Sequence, residues 1–155
     1  MKEYDTPIAS VDAVILTLKN EKLHVLLVER EKEPYAGKLG LPGGFIFTDQ
    51  DETLDDSVNR VLFQKTGVQS SYFEQLHTFG SVKRDSRGWS ISIAYVSLMP
   101  WEEVENAQAG RNVTGIEWKA VDEIKKGSLA FDHENIIEMA LERLRNKVNY
   151  STLPV

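Results

Sequence analysis

The sequence predicts an α+β fold in which a mixed β-sheet is held between helices, and three observations carry this. β-rich runs arrive in pairs, each set of strands is followed by one amphipathic helical segment, and 155 residues suit one core better than two. The order of strand pairs, helix, strand pairs, helix favours a sandwich over a parallel βαβ array.

Each element has its own local reason. Residues 11–18 (VDAVILTL) and 23–28 (LHVLLV) are apolar runs separated by Asn20-Glu21-Lys22 and predict a hairpin. Residues 29–38 are charged and contain a Pro-Tyr-Ala-Gly turn, and residues 39–45 (LGLPGGF) are too rich in Gly and Pro for regular structure, so a loop is expected. Leu54, Val58, Val61 and Leu62 recur along one helical stripe. Thr53 and Asp56 have the spacing of a capping box and Gly67 suits the far end, which places a helix over 53–65. Residues 72–79 and 89–98 read as strands, the second with Ile91, Ile93 and Tyr95 on one face, and 115–120 as a further short strand. A last helix is expected over 132–148, capped by Asp132, stapled by Phe131 on Ile136, and buried along Ile137, Ala140, Leu141, Leu144 and Val148. No repeat, low-complexity tract or linker divides the chain, so 1–155 is expected to be a single domain.

Composition excludes several classes of function. Hydrophobic residues at 41% and charged residues at 27% fit a globular chain, against disordered or fibrous alternatives. A net charge of −6 argues against general affinity for nucleic acid or anionic lipid. The lack of cysteine removes disulfides, thiol catalysis and cysteine metal sites. With neither a long apolar run nor a signal-peptide start, no membrane partner is expected and the cytoplasm is the expected compartment. His24, His77 and His133 share no i,i+4 spacing, so no histidine metal site is expected, and His133 beside Asp132 reads as part of the helix cap.

The chemistry concentrates between Gly40 and Val68 (GLPGGFIFTDQDETLDDSVNRVLFQKTGV). Adjacent glycines let backbone amides approach phosphate oxygens without a Cβ in the way. This segment resembles a Nudix box, whose usual pattern is G-x5-E-x7-R-E-U-x-E-E-x-G-U with U a bulky apolar residue. Pro42-Gly43-Gly44-Phe45 matches its start. Taking Thr66-Gly67-Val68 as its end places Glu52 at the first Glu, Arg60 at the Arg and Leu62 at U, with a turn two residues longer than the pattern. The resemblance implies a Nudix-type α/β/α sandwich and a loop–helix–loop that grips a diphosphate through Mg²⁺. Glu52 and Arg60 are expected to pair and position the loop. The three glutamates of the catalytic helix are absent, their positions holding Val61, Gln64 and Lys65. A carboxylate gives Mg²⁺ a hard anionic ligand, whereas Gln64 offers a neutral carbonyl and Lys65 a repelling ammonium. Metal binding in the family manner is therefore expected to fail, Glu52 being the lone candidate ligand. Lys65 either points to solvent at the helix end or directs its ammonium at the diphosphate in place of the metal.

The connection 83–88 (KRDSRG) holds three positive charges and one negative in an acidic chain. Arg84 and Arg87 can fork onto phosphate, and Trp89 can offer an aromatic face, the alternative being a solvated connection with Trp89 packed inside. Residues 75–80 (QLHTFG), 84–89 (RDSRGW) and 129–133 (LAFDH) extend the resemblance to the ADP-ribose branch of the Nudix family, including the Nudix-related transcriptional regulators of NAD metabolism. That resemblance implies a sensor of ADP-ribose or a related nucleotide and a homodimer, with no direct DNA contact by this domain. DNA would be reached through a winged-helix domain of a longer regulator, of which residues 1–155 are either the N-terminal sensor portion or a free-standing counterpart. The expected ligand residues are Pro42, Gly43, Gly44, Phe45, Lys65, Arg84, Arg87 and Trp89, with no cofactor needed for binding. Two alternatives stay open. One is a Mg²⁺-dependent hydrolase using Glu52 with Glu102, Glu103 or Glu105. The other is a dimerisation module without ligand.

Overall fold

A computed structural model describes residues 3–70 and 72–151, with side chains described as far as residue 147, so Val148 of the expected stripe lies outside the described side chains. Strands β1 (Ile8–Lys19) and β2 (Lys22–Arg30) form the expected hairpin, with Lys19 opposite Lys22. Asn20 and Glu21 both take positive φ, the geometry of a two-residue turn matched to strand twist. β1 is longer than its apolar run, and its first half has an edge that β2 does not reach. Short strands β3 (Leu39–Gly40) and β4 (Gly43–Phe45) lie where a loop was expected. β4 pairs with β1 at Ser10, Val11 and Asp12, and β3 with β2 at Val28 and Glu29. Open strand edges thus overrode the local disfavour of glycine and proline.

Helix α1 (Leu54–Thr66) has the predicted capping box, Thr53 and Asp56 bonding reciprocally, and ends on Gly67 in the left-handed region. Val58, Val61 and Leu62 are buried while Leu54, in its first turn, is 37% exposed. Strands β5 (Glu74–Ser81) and β6 (Ser90–Leu98) are antiparallel, and β6 runs parallel to β1 along nine residue pairs from Ile8–Ser90 to Leu16–Leu98. After Pro100 comes a short helix, α2 (Trp101–Val104). Strand β7 (Val113–Ala120) joins β2, and α3 (His133–Ser151) is the last described element.

The result is one seven-stranded mixed sheet with order β3-β2-β1-β6-β5, β4 and β7 being paired to β1 and β2. One face, with Val11, Ile93 and Tyr95, packs on Val58, Val61 and Leu62 of α1 and Val104 of α2. The other, with Val14, Leu27 and Ala94, packs on Ile136, Ile137 and Ala140 of α3. This is the sandwich that the paired runs predicted. Among the described residues, no helix is long and apolar enough to cross a membrane.

Candidate functional site

A cleft of about 220 Å³ opens where β4, the N-terminal part of β1, the end of β2, the cleft face of α1, the connection before β6 and the start of α3 meet. Arg30, Lys32, Arg60, Lys65, Arg84, Arg87 and Arg111 face it, against the carboxylates of Asp12, Glu31, Glu33 and Asp85. A chain with net charge −6 has therefore concentrated cations at one concavity.

The glycine segment forms the floor. Asp12 lies opposite Gly43 across the β1–β4 pair, and a Cβ on Gly43 would fall onto Asp12 Oδ1. Close approach of a buried carboxylate is thus a structural reason for this glycine. Asp12 accepts a bond of 2.5 Å from Ser92 Oγ and lies 3.4 Å from His133 Nε2. His133 Nδ1 accepts from Leu41 N–H at 2.9 Å, which leaves the ring proton on Nε2, facing Asp12. Burial pushes the imidazole pKa below its ordinary value, in keeping with a neutral ring. His133 is therefore a buried latch between α3 and the glycine segment instead of a helix cap. Pro42 is buried too, its carbonyl accepting from Ala13 N–H, so its part is to shape the floor.

Arg60 does position the loop, with a different partner from the one expected. Its guanidinium forks onto Asp51 at 2.7 and 2.8 Å, donates to Phe45 O at 2.8 Å and Gln64 Oε1 at 3.2 Å, and lies over the Phe47 ring. Asp51 also accepts from Ser57 Oγ and Phe47 N–H. Hydrogen bonds from Arg60 hold its carboxyl pKa well below the usual range. Glu52 is exposed, because its N–H, like that of Thr53, is held by Asp56 in the capping box, and the fork goes to residue 51. The pairing of Glu52 with Arg60 is therefore corrected to Asp51 with Arg60.

Of the three substituted box positions, Val61 is 2% exposed and packs beneath Gly44, while Gln64 lines the cleft and binds Arg60. Lys65 faces the cleft rather than open solvent. Its ammonium pKa is lowered first by burial and then by Arg30, Arg111 and Lys32. The helix thus presents an apolar group, an amide and an ammonium where a divalent cation would need carboxylates, and these residues do not fit Mg²⁺. Among the described residues, no three His, Asp or Glu side chains converge as a metal site. Glu52 does not line the cleft, nor do Glu102, Glu103 and Glu105, all exposed on or beside α2.

The basic connection divides into parts. Arg84 does not present its fork to the cleft as expected: Nε and Nη2 hold Asp132 at 3.0 and 2.7 Å and Nη1 donates to Ser90 Oγ at 2.8 Å. It ties the connection to the start of α3, which also engages the Asp132 carboxylate that was expected to cap the helix. Arg87 pairs with Asp85, yet its guanidinium lies 5.0 Å from the Phe45 ring and 5.8 Å from Phe131. Trp89 is 51% exposed, covers Gly80 and stands outside the cleft. Phe131, expected as a staple on Ile136, has φ +51° and turns its ring to the cleft, edge-on to Tyr35 and 4.8 Å from Arg30.

Sequence reasoning missed Asp12, Arg30, Lys32, Asp51, Arg111 and Phe131 as site residues. Arg30 and Lys32 were legible as charge after an apolar strand, and Phe131 in the LAFDH segment. Arg111 had no local signal, since backbone bonds between Arg111 and Gln64 bring it to the cleft.

A family model described as NUDIX domain matches residues 8–140. The ADPR responsive transcriptional repressor NtrR of Acinetobacter baylyi is 35% identical over 99% of the chain, which spans only 60% of that protein's length. The ADP-ribose pyrophosphatase of Methanocaldococcus jannaschii is 33% identical over 87% of the chain and 73% of its own. The crystal structure of the NUDIX domain of Shewanella oneidensis NrtR complexed with ADP ribose superimposes with a TM-score of 0.85 and 41% identity, covering 91% of this chain and 90% of that one.

Proposed function

The chain belongs to the NUDIX family, and on that premise we propose that it binds ADP-ribose or a related nucleoside diphosphate derivative in the cationic cleft, as a sensor with weak or absent hydrolysis. The observation that carries this reading is the cleft face of α1. It keeps the Arg60 clamp on the loop but offers Val61, Gln64 and Lys65 where catalysis would need metal-binding carboxylates. Binding needs only positive charge, amides and flat faces. The cleft supplies Lys65, the Gly43-Gly44 floor, and the Phe45, Arg87 and Phe131 stack, on which a base or ribose can rest. Pro42 and Arg84 act as positioning residues in this reading, and Trp89 has no ligand role.

The Acinetobacter ADPR responsive transcriptional repressor and the Shewanella NUDIX domain complexed with ADP ribose support the sensor assignment; a homodimer, and an attachment to DNA through a separate domain of a longer protein, are part of the same proposal. The Methanocaldococcus relative supports a second reading, hydrolysis of the diphosphate. Both are tested by ³¹P NMR of ADP-ribose with stoichiometric protein and Mg²⁺, followed over hours. A sensor shifts or broadens the diphosphate signals without new peaks. A hydrolase produces two phosphomonoester signals, and unchanged spectra would leave neither reading standing.

A further inference from the structure

Four cations gather at one rim of the cleft from three segments: Arg30 at the end of β2 with Lys32 just beyond it, Lys65 in the last turn of α1, and Arg111 before β7. Arg60, Arg84 and Arg87 each have a carboxylate partner, but among the described residues none of these four is in an ion pair. Backbone contacts force them together. Gly110 N–H donates to Lys65 O at 2.9 Å, Arg111 N–H to Gln64 O at 2.8 Å, and Glu31 N–H to Asn112 O at 3.3 Å. A Cβ on Gly110 would fall onto the Gln64 carbonyl, so glycine permits this docking.

The same contacts answer the simplest alternative for Lys65, that it serves the carbonyl end of its helix. The carbonyls of Phe63, Gln64, Lys65 and Thr66 already accept from the amides of Gly67, Arg111, Gly110 and Gln108. The ammonium is free to face the cleft, where it is half-buried among Arg30, Arg111 and Lys32, with Glu31 the smaller opposing influence. Unpaired cations held together by backbone have their charge satisfied by an anion, and a phosphate offers the acceptor oxygens for several of them at once.

Resting on the binding reading above, we propose that Arg30, Lys32, Lys65 and Arg111 form a phosphate site that replaces divalent metal in neutralising the diphosphate, so that Mg²⁺ competes with the protein for the ligand. Mg²⁺ complexes diphosphate in solution, and the rim repels the cation that such a complex carries.

The experiment is calorimetric titration of the chain with ADP-ribose and, separately, inorganic pyrophosphate, each in EDTA and in excess MgCl₂. Lys65→Met and Arg111→Ala are titrated alongside, after circular dichroism confirms their fold. Both ligands should bind more tightly in EDTA than in excess MgCl₂, and each substitution should weaken pyrophosphate about tenfold or more. Binding as tight or tighter in Mg²⁺, or indifferent to both substitutions, overturns the proposal while the nucleotide reading survives. Pyrophosphate binding that depends on Lys65 and Arg111, with ADP-ribose unbound in both buffers, overturns the nucleotide reading and sustains the rim.

Discussion

Asp51 and Glu52 are adjacent carboxylates with opposite surroundings. Asp51 is buried under the Arg60 fork, while Glu52 is exposed, so removing the Asp51 charge leaves a guanidinium without its partner. Asp51→Asn should cost about 3 kcal/mol in urea unfolding and Glu52→Gln no more than ~0.5. Equal effects would contradict the assignment of the clamp. His133 and Asp51 also set separate pH windows. His133 has a lowered folded pKa, so the unfolded state takes up the proton first, and stability should fall as pH drops below ~6.5, by up to about 1.4 kcal/mol per unit. His133→Gln should flatten that limb. Asp51 also has a lowered folded pKa, so its contribution is present above pH ~3.9 and lost as pH falls below it, a second limb that Asp51→Asn removes. The sequence made Arg60 legible as a clamp and Lys65 as a cation in a carboxylate's place. It left the choice between residues 51 and 52 open to error, because the capping box turns Glu52 away and spacing alone does not show that.

At the scale of elements, α1 is held by features that spacing revealed, namely Thr53, Asp56 and Gly67. Thr53→Ala should destabilise the fold by about 1 kcal/mol with little effect on ligand affinity. The docking of residues 108–111 onto the other end of α1 was not legible, because the amides of Gly110 and Arg111 donate to carbonyls 45 and 47 positions earlier in sequence. Gly110→Ala should lower Tm and weaken ADP-ribose binding together without touching ligand. Lost stability with full affinity would separate the segment from the site. The glycine segment was misjudged for a related reason. Its pairing in β4 comes from the free edge of β1, a tertiary feature that outweighs poor β-propensity. Restoring carboxylates tests the same helix. Gln64→Glu with Lys65→Glu should raise Mg²⁺ affinity, whereas adding Val61→Glu buries a charge beneath Gly44 and should destabilise the chain.

At the scale of the whole molecule, the sheet has α1 and α2 on one face and α3 on the other, and the cleft lies where strand ends, α1 and the start of α3 converge. Two contacts bind these parts: the buried bond of His133 to Leu41, and the part-buried pair of Arg84 with Asp132. The paired strands and the two stripes made this architecture legible, since each is a local pattern with a known period. The position of the basic rim was not, because it is assembled from three segments that only the folded sheet brings together. The most direct test of the account is a crystal structure of the chain with ADP-ribose grown in EDTA. The diphosphate should lie against Lys65 and Arg111, with an aromatic or sugar ring on the Phe45, Arg87 and Phe131 stack. A ligand elsewhere on the surface, or a diphosphate held away from the basic rim, would contradict it.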